Sequence, residues 1–261
     1  MVKNIAISVS RDPALYASCI RDNPYAFPLE RLVIDNRERN EPISVCYNRF
    51  LDGYDYSHEA WFMFCHEDFE LREDVSPILD RIDRSALHGV VGGARRGIAG
   101  FGRQVIYGNM TECRRNGEGE EWQVGRRVEK ATEVESFDCC CLMVHSSLIA
   151  RYGLRFDERL PFDLYVEDFC ATAKVKYGIR SFVHPVKCCH HSGSRATGRL
   201  YRHLPYLGKK YPHDCFVGTL VYFGTPGWQK RLQDWAVSKW RRQGCAKCVR
   251  RFFAGCGREV I

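Results

Sequence analysis

Short apolar runs alternate with helical segments over the first third of this chain, and that rhythm restricts the folds open to it. "NIAISVS" (Asn4 to Ser10) is a β-rich run closed by Asp12-Pro13, after which "ALYASCI" takes helical form. "ERLVIDN" (Glu30 to Asn36) is a second buried strand. "PISVCYNRFLDG" reads as a helix with Pro42 in its first turn and Gly53 past its end. "AWFMF" is a third strand and "VSPILDRID" a further helix. Strand, helix, strand, helix, strand predicts an α/β fold, a mostly parallel, Rossmann-like sheet with helices on both faces. In such sheets ligands bind beyond the carboxyl ends of strands. The polar residues there are Ser10 and Arg11, Asp35 and Asn36, and His66-Glu67-Asp68, so these are expected on one edge.

"HGVVGG" is a fourth strand, followed by a Gly- and Arg-rich excursion that predicts hairpins and a mobile polar segment. Its glycines do not follow the dinucleotide fingerprint G-x-G-x-x-G. "VESFDCCCLMVH" is the next strand, and "SSLIARYG" a helix closed by Gly153. "YVEDFCATAKVKYG" is an amphipathic helix with Val166, Phe169, Cys170 and Ala173 on one face. "IRSFVH" is a last strand, leading into "PVKCCHHSGS".

At 261 residues, 45% hydrophobic and 27% charged, the chain has the composition of a globular protein with a sizeable core. The apolar run "CFVGTLVYF" is about half the ~20 residues of a spanning helix. The first residues lack a signal peptide's apolar region, so the expected location is the cytoplasm. The 14 cysteines sit inside apolar runs or adjacent clusters, which favours free buried thiols over disulfides. Cys245 and Cys248 with Cys256 make half of a zinc pattern.

The charge divides the chain. Residues 226–261 carry nine Lys/Arg against two acids, and that +7 equals the net charge of the whole protein. The expected organisation is a main domain over residues 1–210 and a basic helical extension over 211–261. Trp228, Leu232 and Trp235 fall on one helical face, with Trp240 beyond, which suits either an anionic membrane surface or packing on the domain. No nucleic-acid module accompanies the charge, and no nucleic-acid partner is expected.

Several residues could carry chemistry. Asp68, just past a buried strand, is a ligand for Mg²⁺ or Mn²⁺ or a solvated loop acid. Glu167 and Asp168 either complement a helix dipole or supply a general base. One of His190 and His191 could complete a site begun by Asp68, or both are surface histidines. Arg95, Arg96 and Arg103 either clamp phosphates or form a solvated face.

Taken in order, residues 4–195 resemble the family-two-like glycosyltransferases of the GT-A fold, in the branch named after a streptomycin-biosynthesis protein. "IAISVSRDPALYASCI" is similar to that family's opening strand and helix, which places Ser8 and Arg11 at the donor. "VIDN" resembles the strand whose acid meets the nucleotide, here Asp35 with Asn36. "VCYNRFLDG" resembles the helix with a Tyr-Asn pair near the donor, here Tyr47 and Asn48.

"FMFCHEDFEL" resembles the branch's His-x-Asp form of the D-x-D motif, with His66 and Asp68 on it. "VESFDCCCLMVHSSLI" is similar to the acceptor-side strand, where Asp138-Cys139 replaces the usual Asp-Gly. "LRFDERLPFDLYVEDFCATAKVKYGIRSFVHPVKCCHHSGS" is the most specific stretch. It implies Asp168 as catalytic base, Glu167 as its neighbour, and His190 or His191 as a ligand.

The resemblance implies inverting transfer of a sugar from a nucleoside-diphosphate donor to a hydroxyl of a glycan or lipid-linked acceptor. Donor contacts would come from Ser8, Arg11, Asp35, Asn36, Asn48, His66, Arg95 and Arg96. The metal, Mn²⁺ or Mg²⁺, would lie on Asp68, His66 and His190 or His191, with Asp138 on the acceptor side. Because His66 brings no negative charge, metal-independent transfer using Arg95, Arg96 or Arg103 stays open. So does a catalytically silent sugar-nucleotide binder or peripheral membrane assembly protein. A nucleotidyltransferase lacks its Gly-rich phosphate signature here.

Overall fold

The computed structural model describes residues 2–96, 103–113, 120–192 and 198–224. The chain begins β1 (Lys3–Ser10), α1 (Pro13–Tyr16), β2 (Glu30–Asp35), α2 (Ile43–Gly53), β3 (Ala60–Cys65), β4 (Phe69–Leu71), α3 (Ser76–Leu79) and β5 (Leu87–Gly89). It continues with β6 (Val91–Arg96), β7 (Arg103–Gly108), β8 (Met110–Glu112), β9 (Trp122–Gln123), β10 (Thr132–Val134), β11 (Ser136–Phe137) and β12 (Cys141–His145). Last come α4 (Ser146–Tyr152), α5 (Tyr165–Tyr177), β13 (Ser181–Val183), β14 (Cys188–His190), α6 (Gly198–Lys210), β15 (Cys215–Val217) and β16 (Tyr222–Gly224).

The protein is a mixed α/β structure built on a seven-stranded sheet of order β10-β13-β5-β12-β3-β1-β2, with smaller sheets around it. Residues of β1 and β3 alternate between two cores. Ile5, Ile7, Val9, Phe62 and Phe64 meet α2 and α5 on one face. Ala6, Trp61, Met63 and Cys65 meet Tyr16, Ile20, Phe69 and Leu79 on the other. A strand covered on both sides needs an unbroken apolar run, and every residue of β3 is buried.

Three expectations change. The central sheet is mixed rather than mostly parallel: β1 runs parallel to β2 and β3, but β12 runs antiparallel to both β3 and β5. An antiparallel strand needs no helical crossover, so the polar excursion can re-enter the sheet directly. β2 is an edge strand rather than a buried one, with Val33 46% exposed. The predicted helix over residues 75–83 shortens to the four residues of α3.

Elsewhere the local signals operate as physics requires. Gly153 and Gly178 close α4 and α5 in the left-handed conformation that glycine adopts without strain. The Gly-Arg excursion contains the β6–β7 hairpin. Residues 215–224 form a second hairpin built into the main body, where Ser136 Oγ donates to Val217 O at 2.8 Å. Gly93 lies under it, and a Cβ there would stand 2.4 Å from Gly218 O.

The described cysteines are free, and nine of those eleven are buried. Among the described residues no helix is long and apolar enough to cross a membrane. Residues 225–261, with the Trp-rich basic segment, Cys245, Cys248 and Cys256, lie outside the described residues.

Candidate metal centre

β3 and β1 end side by side. β1 pairs Ser10 with Asp35 of β2 and Ile7 with Phe64 of β3, so Arg11, Asp35 and His66-Glu67-Asp68 share the carboxyl edge. The spatial order β2-β1-β3 makes this a topological switch point, the strand edge at which open α/β sheets take ligands. Glu67 Oε2 accepts from Ser10 Oγ and from the amides of Arg11 and Asp12, tying the β3 turn to the loop after β1. His66 and Asp68 flank this staple.

A ladder of short strands supplies the rest. β14 pairs antiparallel with β4, placing His190 opposite Phe69, and parallel with β8, placing His190 beside Glu112. His66, Asp68 and His190 each bring a ligand atom within 4.8 Å of the others. His190 Nε2 lies 3.2 Å, and His66 Nδ1 3.9 Å, from Asp68 Oδ1. Asp68 Oδ1 and His190 Nε2 are buried and complete no hydrogen bond.

Neighbouring groups fix which ring nitrogens face inward. The Tyr165 hydroxyl donates to Cys139 O at 3.0 Å, so its oxygen accepts from His66 Nε2–H at 3.0 Å and leaves the Nδ1 lone pair toward Asp68. His190 Nδ1 lies 3.3 Å from Ser192 Oγ and 3.6 Å from Glu112 Oε1, which leaves Nε2 toward Asp68. Orientation of a ligating histidine through its second nitrogen is usual at metal sites.

The electrostatics favour positive charge at this point. Burial alone would lower His190, but Asp68 and Glu112 outweigh it and push the imidazole up to about 10. Burial would raise Asp68, yet the two histidines hold it well below the carboxylate range. His66 is lowered, chiefly by burial. Without a metal, a proton on His190 thus answers a charge demand that a divalent ion could meet. Two imidazoles and a carboxylate suit Mn²⁺, Fe²⁺ or Zn²⁺ better than Mg²⁺, which prefers oxygen alone. The residues fit Mn²⁺.

The first turn of α5 separates its two acids. Glu167 is buried on the same side as Cys139, whose Sγ lies 3.1 Å from Glu167 Oε2. Burial and the charge of Asp138 push Glu167 up to about 8. Asp138 accepts from Cys140 N and Thr219 Oγ1, and forms a second group of possible ligands with Cys140 and His190.

Asp168, one residue on, faces α6. It is bound by Lys210 Nζ at 2.7 Å and Tyr211 OH at 2.8 Å, and burial raises its pKa against their pull. Lys210 also bonds Asp157 at 2.8 Å. The residue before this helix, Leu164, has φ 66°, a conformation that a branched side chain adopts only under constraint.

The other candidates divide clearly. His191 does not join His66 and Asp68, because alternation along the strand turns it to the opposite face. Ser8 is buried beneath the edge, with Oγ 3.2 Å from Cys65 Sγ. Asn36 braces its own loop through Glu41, and Asn48 bonds Phe156 and Glu158. Tyr47 bonds Cys65 O. Arg95 holds Glu135 and Cys215 O, and Arg96 holds Tyr107 and Glu133 O. Arg103 begins β7 and is exposed. Asp35 lies exposed at the shared edge, with Arg37 lowering its carboxyl to about 2.

A cleft of about 520 Å³ is lined by Asn48, Asp157, Arg159, Thr172 and Lys210, among others, and by none of the His66 group. Sequence reasoning missed Glu112 and Tyr165, and it noted Cys139 only as a replacement for glycine beside Asp138. Glu112 gave no signal, since it stood in a polar stretch read as mobile.

No family model matches the chain, and no curated protein matches its sequence. Among solved structures the chain is similar to "A197 from STIV", at a TM-score of 0.40 and 10% identity over 72% of this chain and 85% of that one. That likeness is too distant to bear on fold or function.

Proposed function

We propose that the chain is a nucleotide-sugar glycosyltransferase of the GT-A kind, moving a sugar to a hydroxyl of a glycan or lipid-linked acceptor with inversion. The observation that carries this reading is the His66, Asp68 and His190 group at the carboxyl end of β3, whose buried ligand atoms Asp68 Oδ1 and His190 Nε2 face each other at 3.2 Å. It stands at the strand edge where open α/β sheets take nucleotide ligands.

In this reading His66 Nδ1, Asp68 Oδ1 and His190 Nε2 hold Mn²⁺, and a bound ion supplies positive charge against the departing diphosphate. Asp35 and Arg11 sit on the same edge to meet the nucleotide, while Ser8, Asn48, Arg95 and Arg96 brace the fold. Glu167 replaces Asp168 as the base, because it lies on the Asp138 side and is tuned near neutral pH. Its carboxylate takes the acceptor's proton as the acceptor oxygen bonds to the anomeric carbon. The bond to the diphosphate oxygen breaks, and its electron pair leaves with the diphosphate. Asp168, held by Lys210 and Tyr211, positions the start of α5.

Release of nucleoside diphosphate from a panel of UDP-, GDP- and dTDP-sugars with Mn²⁺ tests this. The expected result is release by wild type, reduced about 100-fold or more in Glu167→Gln, and by Asp68→Ala as well. Donor binding without release would favour the silent binder. Two histidines with one carboxylate also make up the donor set of non-haem iron oxygenases, which is the second reading. Tight Fe²⁺ binding with no response to any nucleotide would favour it.

A further inference from the structure

The strand pair that carries His190 and Glu112 has a second face, and it too gathers metal-binding groups. Because side chains alternate along β14, Cys189 and His191 project opposite to His190. β8 runs parallel beside it, and Cys113 N bonds His190 O at 3.2 Å, which brings Cys113 alongside His191. Cys113 Sγ lies 3.5 Å from Cys189 Sγ and 3.0 Å from His191 Nδ1, and the three ligand atoms fall within 4.8 Å of one another.

We propose that Cys113, Cys189 and His191 form a second metal site, for a thiolate-binding divalent ion of the Zn²⁺ class, distinct from the His66 group. A tetrahedral zinc ion with Zn–S near 2.3 Å and Zn–N near 2.0 Å spaces its sulfurs about 3.8 Å apart and sulfur from nitrogen about 3.5 Å. The donors here already stand close to those separations. Glu70 Oε2 accepts from His191 Nε2–H at 2.8 Å, which turns the Nδ1 lone pair toward the thiols. That carboxylate–histidine arrangement is the one that orients zinc-bound imidazoles. Arg72 in turn lies 3.5 Å from Glu70, fixing it.

Both cysteines are buried, while His191 keeps partial exposure, so a fourth position can take water from the open side. Two thiolates and an imidazole select a softer ion than two imidazoles and a carboxylate do. The two sites therefore differ in metal preference as well as face. An ion here would clamp β8 to β14 from behind and hold Glu112 beside His190. The inference does not depend on the transferase reading.

Cobalt(II) substitution tests it, in a full-length background carrying Cys245→Ser, Cys248→Ser and Cys256→Ser so that these three thiols add no signal. The expected result is a thiolate-to-cobalt charge-transfer band that Zn²⁺ displaces, lost in Cys113→Ser and in Cys189→Ser and kept in Asp68→Ala. X-ray absorption of the Zn²⁺-loaded background protein with Asp68→Ala added, which removes the competing His66 group, reads the donor set directly. It should show two sulfurs and a nitrogen from the protein. A nitrogen–oxygen shell without sulfur, a Cys113–Cys189 disulfide by mass mapping of the freshly purified protein, or a band that survives both serine variants would overturn the proposal.

Discussion

Replacing Glu167 by glutamine should remove a pH dependence from the stability of this protein. Glu167 is buried, the negative charge of Asp138 faces it, and its pKa rises from 4.5 to about 8. A carboxyl raised on folding binds its proton more tightly in the native state. Its contribution to stability is therefore complete below pH 4.5 and is lost as pH rises toward 8. At about 1.36 kcal/mol per pKa unit, the full swing is about 5 kcal/mol, of which roughly half falls between pH 5 and pH 7. Glutamine keeps the shape and binds no proton. Urea unfolding of both proteins from pH 5 to pH 9 should show the wild type losing about half of that swing relative to Glu167→Gln by pH 7. The difference should level off above pH 8. A difference that stays constant with pH would refute the burial argument, and with it the tuning of Glu167 as a base.

Three further outcomes follow from contacts elsewhere. Lys210→Met leaves buried Asp168 without its cation, while Asp157 keeps Arg159, and should cost about 3 kcal/mol in denaturant unfolding, more than Asp168→Asn, which keeps its bond to Tyr211. Equal costs would mean that Lys210 does not hold the start of α5. Glu67→Ala removes the acceptor of three bonds on the loop after β1 and should cost about 2–3 kcal/mol; a neutral result would free that loop from the β3 turn. Gly93→Ala drives a Cβ against Gly218 O and should cost about 1–3 kcal/mol while exposing the residue 215–224 hairpin to protease.

The first half of the fold was legible because doubly covered strands require continuous apolar runs, as "AWFMF" shows, and because Gly153 and Gly178 mark helix ends without ambiguity. Direction was not legible. Nothing in "CLMVH" distinguishes a parallel strand from the antiparallel one that β12 forms, since both bury the same side chains. Three-residue strands such as β4, β8 and β14 are too short for a period to register, yet they assemble the metal centre.

Neighbouring residues were harder still. His190 and His191 are equivalent as ligands until the strand's alternation sends them to opposite faces. Glu167 and Asp168 are equivalent acids until the turn of α5 sends one to Cys139 and Asp138 and the other to Lys210. Asp68 could be named from its place after a buried strand; Glu112, the other acid beside His190, could not.

The most direct test of the central claim is thermal stability with UDP, GDP, dTDP and CMP, each with and without Mn²⁺, in wild type and Asp68→Ala. A ligand at 100 times its Kd adds about 2.7 kcal/mol, a readable shift. The account expects one nucleoside diphosphate to stabilise wild type only when Mn²⁺ is present, and neither to stabilise Asp68→Ala. No response to any nucleotide, or a response that Asp68→Ala leaves intact, would contradict it.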